Sequence, residues 1–305
     1  MKMNSTDDTW FTTSQNEPRG YIQPRLLEEL WFHTGTNCNL RCPFCFEGAK
    51  PGDNRIEYLT LDDVRRFIDE ALELGVKKFS FTGGEPFVNP QFVAILETAL
   101  EHRPCLVLTN ATEPLMNRMA KVLGLANKPN PLKFRVSLDY PDPARHDAAR
   151  GTGNFNKALD TLGRLHRAGF GVSIARLMLP DEDSAAVDRS YVPFFRSVGV
   201  PDDVTIIKFP EFHLSGSFHQ VPEITETCMT HYLSAEQRAA FMCHFSKMVV
   251  RKNGQCGVYA CTLVDDVLGY DLGPTLKVAM DRRVMLGHHR CYSCFACGAS
   301  CSENE

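Results

Sequence analysis

The feature that most constrains the fold is a regular alternation of predicted strands and helices between residues 27 and 209. Short apolar runs alternate with amphipathic stretches of helical period, which is typical of strands joined by helices. The predicted strands cover residues 27–34, 76–82, 105–109, 133–138, 171–178 and 204–209. The predicted helices cover residues 60–74, 91–101, 113–123, 156–168 and 184–198, the last interrupted at Pro193. Strand–helix units of this kind predict a parallel sheet with right-handed crossovers.

Composition narrows the class of protein. Hydrophobic residues make up 43% and charged residues 23% of the chain, which excludes wholesale disorder. The net charge of −4 gives no basic excess to attract nucleic acid or an anionic membrane. The sequence shows neither a signal peptide nor a long apolar run. We therefore expect a cytoplasmic protein with no nucleic-acid and no membrane partner.

Twelve cysteines are the anomaly of the composition. In a chain of this size without a signal peptide, thiols stay reduced, and clustered thiols more often bind metal than form disulfides. Three of the cysteines lie within residues 38–45 and four within residues 291–301. Both clusters are therefore predicted to bind metal.

The first cluster consists of Cys38, Cys42 and Cys45, with the spacing C-x3-C-x2-C, and it follows the first predicted strand. Three thiolates on one loop can hold three irons of a [4Fe–4S] cluster and leave the fourth iron open to a substrate or cofactor. Clusters that only transfer electrons use four cysteines. The alternatives are a zinc site, which prefers recurring C-x2-C pairs, and three unrelated buried thiols.

Polar or glycine-rich residues follow the next four predicted strands. In parallel α/β sheets and barrels, ligands bind at the carboxyl ends of the strands, so these residues should converge on one face. In chain order they are Gly83-Gly84-Glu85-Pro86, Asn110, the pair Ser137 and Asp139, and Arg176.

The chain resembles the radical S-adenosylmethionine (SAM) superfamily over residues 27–209. The resemblance is carried by the cysteine triad, by Phe44 in the aromatic position before the third cysteine, and by the Gly-Gly-Glu-Pro motif at residues 83–86. It implies a partial (β/α)6 barrel with a [4Fe–4S] cluster whose open iron is chelated by SAM. It also implies reductive cleavage of SAM to a 5′-deoxyadenosyl radical, which abstracts a hydrogen atom from a substrate carbon. The electron would come from a flavodoxin- or ferredoxin-type donor.

The same resemblance assigns candidate SAM-binding residues. Gly83 and Gly84 are expected to let the backbone approach the methionine part of SAM, and Glu85 or nearby carbonyl groups are expected to bind its ammonium group. The candidates for its carboxylate or ribose are Asn110, Ser137, Asp139 and Arg176.

Arg150 is a further candidate of this kind. It ends a stretch, residues 145–151, that is similar to the H-D-x-x-R-G sequence of many relatives. It is expected to be a carboxylate ligand or a structural arm, and a surface ion pair is the plain alternative.

The second cluster has the spacing C-x2-C-x2-C-x3-C of bacterial ferredoxins, with Ser302 in place of the usual proline. Zinc is the alternative, because C-x2-C pairs also form zinc knuckles. The region resembles the SPASM/twitch auxiliary-cluster extensions of the same superfamily, which place a cysteine before a hairpin, another after it, and then a C-x2-C pair. The matching cysteines are Cys243, Cys261, Cys291 and Cys294. The chain departs from a full SPASM in the short gap that follows Cys294.

Eight cysteines remain when the triad and Cys105, which lies in an apolar strand, are set aside. They suffice for two auxiliary [4Fe–4S] clusters, or for one cluster with spare thiols. One cluster is favoured, with Cys261, Cys291, Cys294 and either Cys297 or Cys301 as ligands, and with Cys243 as a further candidate. By resemblance to radical SAM epimerases, Cys228, Cys243 and Cys256 are candidate hydrogen-atom donors; the alternative is that they are small buried apolar residues.

The predicted organisation is a polar segment over residues 1–26, a partial barrel over 27–210 and a cluster extension over 211–305. In the extension, residues 234–248 are predicted to form a helix, and Asn253-Gly254 to turn a hairpin. The predicted function is that of an oxidoreductase or maturase that oxidises, epimerises or crosslinks a small molecule or peptide. Only 37 residues precede the triad, which disfavours a leader-peptide-binding domain. The alternative is a non-enzymatic zinc or iron–sulfur module that senses redox state or binds partners.

Overall fold

The computed structural model describes residues 8–210, 219–298 and 301–302. The strands are β1 (Tyr21–Ile22), β2 (Glu29–His33), β3 (Lys78–Thr82), β4 (Cys105–Thr109), β5 (Leu132–Ser137), β6 (Gly171–Met178), β7 (Thr205–Pro210), β8 (Ser246–Lys252), β9 (Gln255–Tyr259) and β10 (Val284–Met285). The α-helices are α1 (Asp8–Phe11), α2 (Leu61–Glu73), α3 (Phe92–Leu100), α4 (Glu113–Met116), α5 (Met119–Leu123), α6 (Pro143–Arg150), α7 (Asn154–Arg167), α8 (Ser184–Arg189), α9 (Val192–Ser197), α10 (Glu226–His231), α11 (Ala235–Ala239), α12 (Met242–Phe245), α13 (Leu276–Asp281) and α14 (His289–Cys297). Short 3-10 turns cover Pro86–Val88, Gly124–Asn127 and Leu268–Tyr270.

The chain divides into two compact units. The terminal unit consists of Met1–Phe32, Arg66–Lys77 and Ser215–Glu305, and the α/β unit consists of His33–Arg65 and Lys78–Leu214. The three-segment division expected from the sequence stays a prediction.

The α/β unit is built on five parallel strands in the order β3-β4-β5-β6-β7. Most central residues of β3, β4 and β5 are apolar and buried, as expected of parallel strands that are covered on both faces, whereas no residue of β7 is fully buried. Edge-to-face aromatic pairs fill the core, for example Phe87 with Phe92 at 4.9 Å between ring centroids. Together with β2, which ends at His33, each of the six strands predicted from the sequence is present.

The helix α6 is absent from the sequence-based assignment, although its start signal is a familiar one. The carboxylate of Asp142 accepts hydrogen bonds from the backbone N–H groups of Ala144 and Arg145, and Pro143 occupies the first helical position. The helix ends at Arg150, which it directs back toward Asp139. The predicted helix over residues 113–123 forms as α4 and α5, and the one over 184–198 forms as α8 and α9, with the expected interruption beside Pro193.

In the terminal unit, β2 pairs in parallel with β8, from Glu29 opposite Ser246 to Phe32 opposite Val249. The strands β8 and β9 form the predicted hairpin, in which Asn253 and Gly254 both have positive φ. The strands β1 and β10 pair antiparallel.

The helix predicted over residues 234–248 is wrong. The helix α11 ends at Ala239, α12 covers only Met242–Phe245, and the chain from Ser246 onward is strand. Pairing of Ser246–Val249 with β2 outweighs the helix propensity of this segment. The region before it contains α10, which Thr225 caps. Residues 211–218 lie outside the described residues.

Candidate functional site

The cysteine triad lies on the loop that follows β2. Backbone hydrogen bonds shape this loop: Cys38 N–H donates to Lys50 O, and Cys45 N–H donates to Cys42 O. Cys38 is buried, and Cys42 and Cys45 are partly buried. Three free thiols therefore lie on one loop, just after the end of a strand.

Burial dominates the chemistry of these thiols. It raises the pKa of Cys38 to about 12, and it also raises the pKa of Cys42 and Cys45. The charges of Cys42 and Cys45 add to the rise in the pKa of Cys38, and that of Cys45 adds to the rise in the pKa of Cys42. Metal ligation requires the thiolate. Iron would therefore supply the positive charge that this buried donor set lacks, and in this respect the residues fit an iron–sulfur cluster.

The glycines of the Gly-Gly-Glu-Pro motif allow β3 to meet the cysteine loop. Gly83 has φ of +146°, and a Cβ on it would lie 2.6 Å from the carbonyl oxygen of Gly35. A Cβ on Gly84 would lie 2.6 Å from the carbonyl oxygens of Thr36 and Asn37. Gly84 N–H donates to Gly35 O at 2.8 Å. Because both residues lack a side chain, the backbone at the start of the loop can lie against them. The contact with SAM expected of these glycines stays a prediction.

Glu85 is a fully buried carboxylate that joins its own segment to the end of β4. It accepts hydrogen bonds from Phe87 N–H at 3.1 Å, from Asn110 N–H at 2.8 Å and from the Thr109 hydroxyl at 2.9 Å. Burial raises the pKa of Glu85 to about 7, against the opposing effect of these hydrogen bonds. The structure therefore gives Glu85 partners within the protein, and its predicted contact with the ammonium group of SAM is untested.

Replacing Glu85 with glutamine should remove a pH dependence of folding stability in the cluster-free protein. Because the pKa of Glu85 is higher in the folded than in the unfolded chain, the folded state binds this proton more tightly. Its contribution to stability is therefore present at low pH and is lost between pH 4.5 and about 7. The slope is about 1.4 kcal/mol per pH unit in the free energy of unfolding. Urea unfolding across this range should show the slope in the wild type and its loss in Glu85→Gln; equal slopes would contradict it.

Asn110, which directly follows β4, is hydrogen-bonded to the cysteine loop. Its side-chain N–H group donates to Oδ1 of the Asn39 side chain at 3.0 Å and lies 3.8 Å from the Cys38 sulfur. Its side-chain oxygen accepts from the hydroxyl and the N–H of Thr112. The sequence analysis did not single out Asn39 or Thr112, which complete this network.

Arg150 and Asp139 form a buried ion pair beside the triad. Arg150 Nη2 donates to Asp139 Oδ1 at 3.0 Å, and Nε donates to the other carboxylate oxygen. The guanidinium carbon lies 5.7 Å from the centroid of the Phe44 ring, and its charge lowers the pKa of Cys42 and Cys45. The expected roles of Arg150, as a structural arm or as a carboxylate ligand, stay predictions.

The remaining SAM-binding candidates have different surroundings. Ser137 is half-buried at the end of β5. Arg176 is buried, and its guanidinium donates to Glu182 at 2.6 Å and to Asp188 at 2.7 Å. Both assignments to SAM stay predictions, and the structure gives Arg176 two carboxylate partners of its own.

A pocket in the terminal unit brings four cysteines together. Its lining includes Cys243, Cys261, Cys291 and Cys294, with apolar residues such as Leu263, Val264 and Leu286 around them. Burial raises the pKa of three of these thiols, those of Cys243, Cys261 and Cys291. The Cys261 thiol interacts electrostatically with the other three. The lining thus matches the order of cysteines in the twitch-type extension.

The sequence analysis missed two polar groups that line this pocket, Arg290 and Tyr270, and one lysine that is hydrogen-bonded to a lining residue. Arg290 lines it and donates to Leu263 O at 2.9 Å. The Tyr270 hydroxyl lies 3.8 Å from the Cys291 sulfur. Lys247 is bonded to Cys243 O, and burial lowers its pKa to about 8 while the thiolates of Cys243 and Cys261 oppose that shift. Only the adjacency of Arg290 to Cys291 could have been seen in the sequence.

The other predicted cysteines lie elsewhere in the terminal unit. Cys301 is buried, with its sulfur 3.4 Å from the Thr262 hydroxyl, and its N–H donates to the Met242 sulfur. Cys228 accepts from the Thr225 hydroxyl at 3.2 Å, and Cys256 lies on β9 opposite Arg251. The Cys297 side chain lies outside the described residues.

Within residues 8–210, 219–298 and 301–302, no group of three or more His, Cys, Asp or Glu side chains is arranged so that it could hold a metal ion as it stands. The cluster assignments therefore rest on cysteine spacing, on the thiol-lined pocket and on family membership. In the same ranges, no helix has both the length and the apolar character to cross a bilayer.

Comparison with known proteins decides the family. The model of the radical SAM superfamily matches residues 32–191, which include the triad, the Gly-Gly-Glu-Pro motif and Arg150. The chain belongs to the radical SAM superfamily. The family predicted from the sequence is thus confirmed, and with it the [4Fe–4S] cluster and SAM as cofactors.

Curated relatives cover part of this radical SAM chain. A GTP 3′,8-cyclase of Actinobacillus succinogenes is 29% identical over 157 residues, which are 50% of this chain and 45% of the relative. A GTP 3′,8-cyclase of Haemophilus influenzae is 29% identical over 195 residues, 59% of this chain and 55% of the relative. The chain therefore spans about half the length of the curated relatives it matches.

Solved structures confirm the fold class. SuiB of Streptococcus suis bound to S-adenosylmethionine has a TM-score of 0.58 at 15% identity, covering 78% of this chain and 60% of SuiB. The protein anSMEcpe with bound AdoMet has a TM-score of 0.59 at 14% identity, covering 85% of this chain and 78% of anSMEcpe. The predicted partial (β/α)6 barrel with a cysteine-rich extension agrees with this likeness.

Proposed function

We propose that this radical SAM enzyme cleaves SAM reductively and abstracts a hydrogen atom from a substrate carbon. The observation that carries the proposal is the triad on a single loop, which Asn110 and the Gly83–Glu85 segment hold at the ends of parallel strands. Three thiols leave a fourth cluster position without a protein ligand, which is what a chelating cosubstrate requires.

The residues of the α/β unit then divide the work. Cys38, Cys42 and Cys45 would ligate the cluster, which supplies the electron that breaks the C5′–S bond of SAM. Glu85 and Asn110 hold the loop in place through their hydrogen bonds. The candidates for contact with SAM itself are the backbone at Gly83 and Gly84 and the side chains of Ser137, Asp139, Arg150 and Arg176. Pre-organised groups of this kind orient a cosubstrate at little cost in the reacting complex.

The terminal unit would hold one auxiliary [4Fe–4S] cluster. Four thiols line one pocket, which is the ligand number of a closed electron-transfer cluster. On this proposal Cys243 is the fourth ligand, in place of Cys297 or Cys301. A second auxiliary cluster has less support, because Cys228 and Cys256 are absent from the lining of this pocket. They remain candidate hydrogen-atom donors.

The substrate class is proposed from the titles of similar structures and the names of curated relatives. The titles of two similar structures describe SuiB bound to the precursor peptide SuiA and anSMEcpe bound to the Cp18Cys peptide. These support a peptide or small-molecule substrate that is oxidised, epimerised or crosslinked, as in a maturase. GTP cyclisation is the second candidate, favoured by the names of the curated relatives. A flavodoxin- or ferredoxin-type protein is the proposed electron donor.

Anaerobic reconstitution with iron and sulfide, followed by incubation with SAM and dithionite, tests the function. We expect 5′-deoxyadenosine to form, and reduced flavodoxin to replace dithionite. Mass spectrometry of parallel reactions with GTP and with cell extract separates the two substrate classes. A colourless zinc protein that leaves SAM intact would instead support the non-enzymatic metal module.

A further inference from the structure

Lys247 is a fully buried lysine whose role has not been considered above. It lies on β8 with 0% relative exposure. Its ammonium group donates to Cys243 O and to Ser246 O, both at 2.8 Å. Among the described residues, no carboxylate lies within ion-pair distance of Lys247. Its partners are thus two neutral carbonyl groups, one of which belongs to a cysteine of the pocket.

An ammonium group without a counter-ion is strongly unfavourable in a protein interior. One of the two carbonyl partners belongs to Cys243, whose side chain lines the pocket, so the ammonium group lies next to the proposed cluster site. Lys247 lowers the pKa of Cys243, and the thiolates of Cys243 and Cys261 in turn raise the pKa of Lys247. Lys247 therefore has its electrostatic partners in two of the four pocket cysteines.

The proposed occupant of the pocket is the kind of group that can balance this charge. Each thiolate ligand brings a negative charge, so a cluster with four of them is anionic, and reduction adds one more negative charge. Net charge and hydrogen bonds to the sulfurs set the reduction potential of such clusters. The ammonium group has three N–H donors, of which two are used by carbonyls, and this leaves one for a sulfur atom.

We propose that Lys247 balances the charge of the auxiliary cluster and sets its reduction potential, acting as a positioning residue and not as a ligand. The proposal rests on the auxiliary cluster of the proposed function. It assigns to one buried cation the task of keeping the reduced cluster accessible to an electron donor.

The test uses the full chain with Cys38, Cys42 and Cys45 replaced by alanine, so that the auxiliary cluster is the one observed. Into this background we introduce Lys247→Met, which keeps the length of the side chain and removes the charge. The matched control is Lys252→Met, on the same strand, whose lysine lies 3.9 Å from the Asp265 carboxylate. Redox titration followed by electron paramagnetic resonance (EPR) gives the midpoint potential, and iron analysis gives the cluster content.

We expect Lys247→Met to shift the equilibrium toward the oxidised cluster by at least tenfold, which is 59 mV for a one-electron couple. Lys252→Met should cause a clearly smaller shift. Equal shifts in the two variants would overturn the proposal.

If Lys247→Met holds no cluster, the folding of the cluster-free variant shows which of two causes applies. If that variant is folded by circular dichroism but holds no iron, the charge is needed for the cluster, and the proposal stands. If it is unfolded while cluster-free Lys252→Met is folded, Lys247 has a structural role and the proposal falls. Absence of iron from the background protein itself would reject the auxiliary cluster and the role of Lys247 together, while SAM cleavage by the intact chain would still support the triad.

Discussion

Alanine in place of Cys42 should reduce dithionite-dependent formation of 5′-deoxyadenosine to the level of a reaction without enzyme. Cys42 is one of three thiols on the loop, and the fourth cluster position has to stay free for SAM, so no spare ligand can replace it. The four cysteines of the pocket are unaffected by the change. Iron and sulfide content should therefore fall to that of one cluster. Anaerobic reconstitution, iron analysis and chromatography of the products measure both effects.

The matched control is Cys105→Ala. Cys105 is also a buried thiol of the α/β unit, on β4, but it lies apart from the triad in an apolar strand. This variant should keep both clusters and the formation of 5′-deoxyadenosine. Product formation that persists in Cys42→Ala would contradict the assignment of the triad.

Methionine in place of Arg150 should lower the free energy of unfolding by about 3–5 kcal/mol, because it leaves a buried carboxylate without its counter-ion. The Asp139 side chain is only 8% exposed and is held by Arg150. His146 lies 3.7 Å from it, but burial lowers the pKa of His146 to about 4, so this histidine cannot readily supply a replacement charge. Urea unfolding of the cluster-free protein near neutral pH measures the loss.

Two further variants separate this charge effect from a loss of packing. Adding Asp139→Asn to Arg150→Met removes the stranded charge and should recover most of the stability. Arg196→Met breaks a pair with Asp202 that is exposed to solvent, and it should have a much smaller effect than Arg150→Met. If Arg150→Met and Arg196→Met were equally stable, the buried pair would not hold the site as described.

The strands of the barrel were predictable because their apolar runs are short and clearly bounded. Cys105–Thr109 and Gly171–Met178 have the predicted limits, and the other four predicted strands agree with the structure to within two residues at either end. The helix α6 could have been found from Asp142 and Pro143. The strand character of Ser246–Met248 could not, because it depends on pairing with a segment more than two hundred residues away.

The parts of the candidate site that depend on the spacing of residues along the sequence were predictable. The triad and the Gly-Gly-Glu-Pro motif are local patterns, and the structure places both at one end of the strands. The pocket is different, because ferredoxin-like spacing favoured Cys297 or Cys301, whereas tertiary structure brings Cys243 to the pocket from before the hairpin. The burial of Lys247 is also invisible in the sequence, since a lysine is ordinarily read as a surface residue.

EPR of the reduced triad cluster, with and without SAM, tests the central claim most directly. The measurement uses a variant in which Cys291 and Cys294 are replaced by alanine, so that the signal of the auxiliary cluster is removed. The account predicts that SAM changes the spectrum, because SAM binds the iron that has no protein ligand. A spectrum that is the same with and without SAM would contradict it.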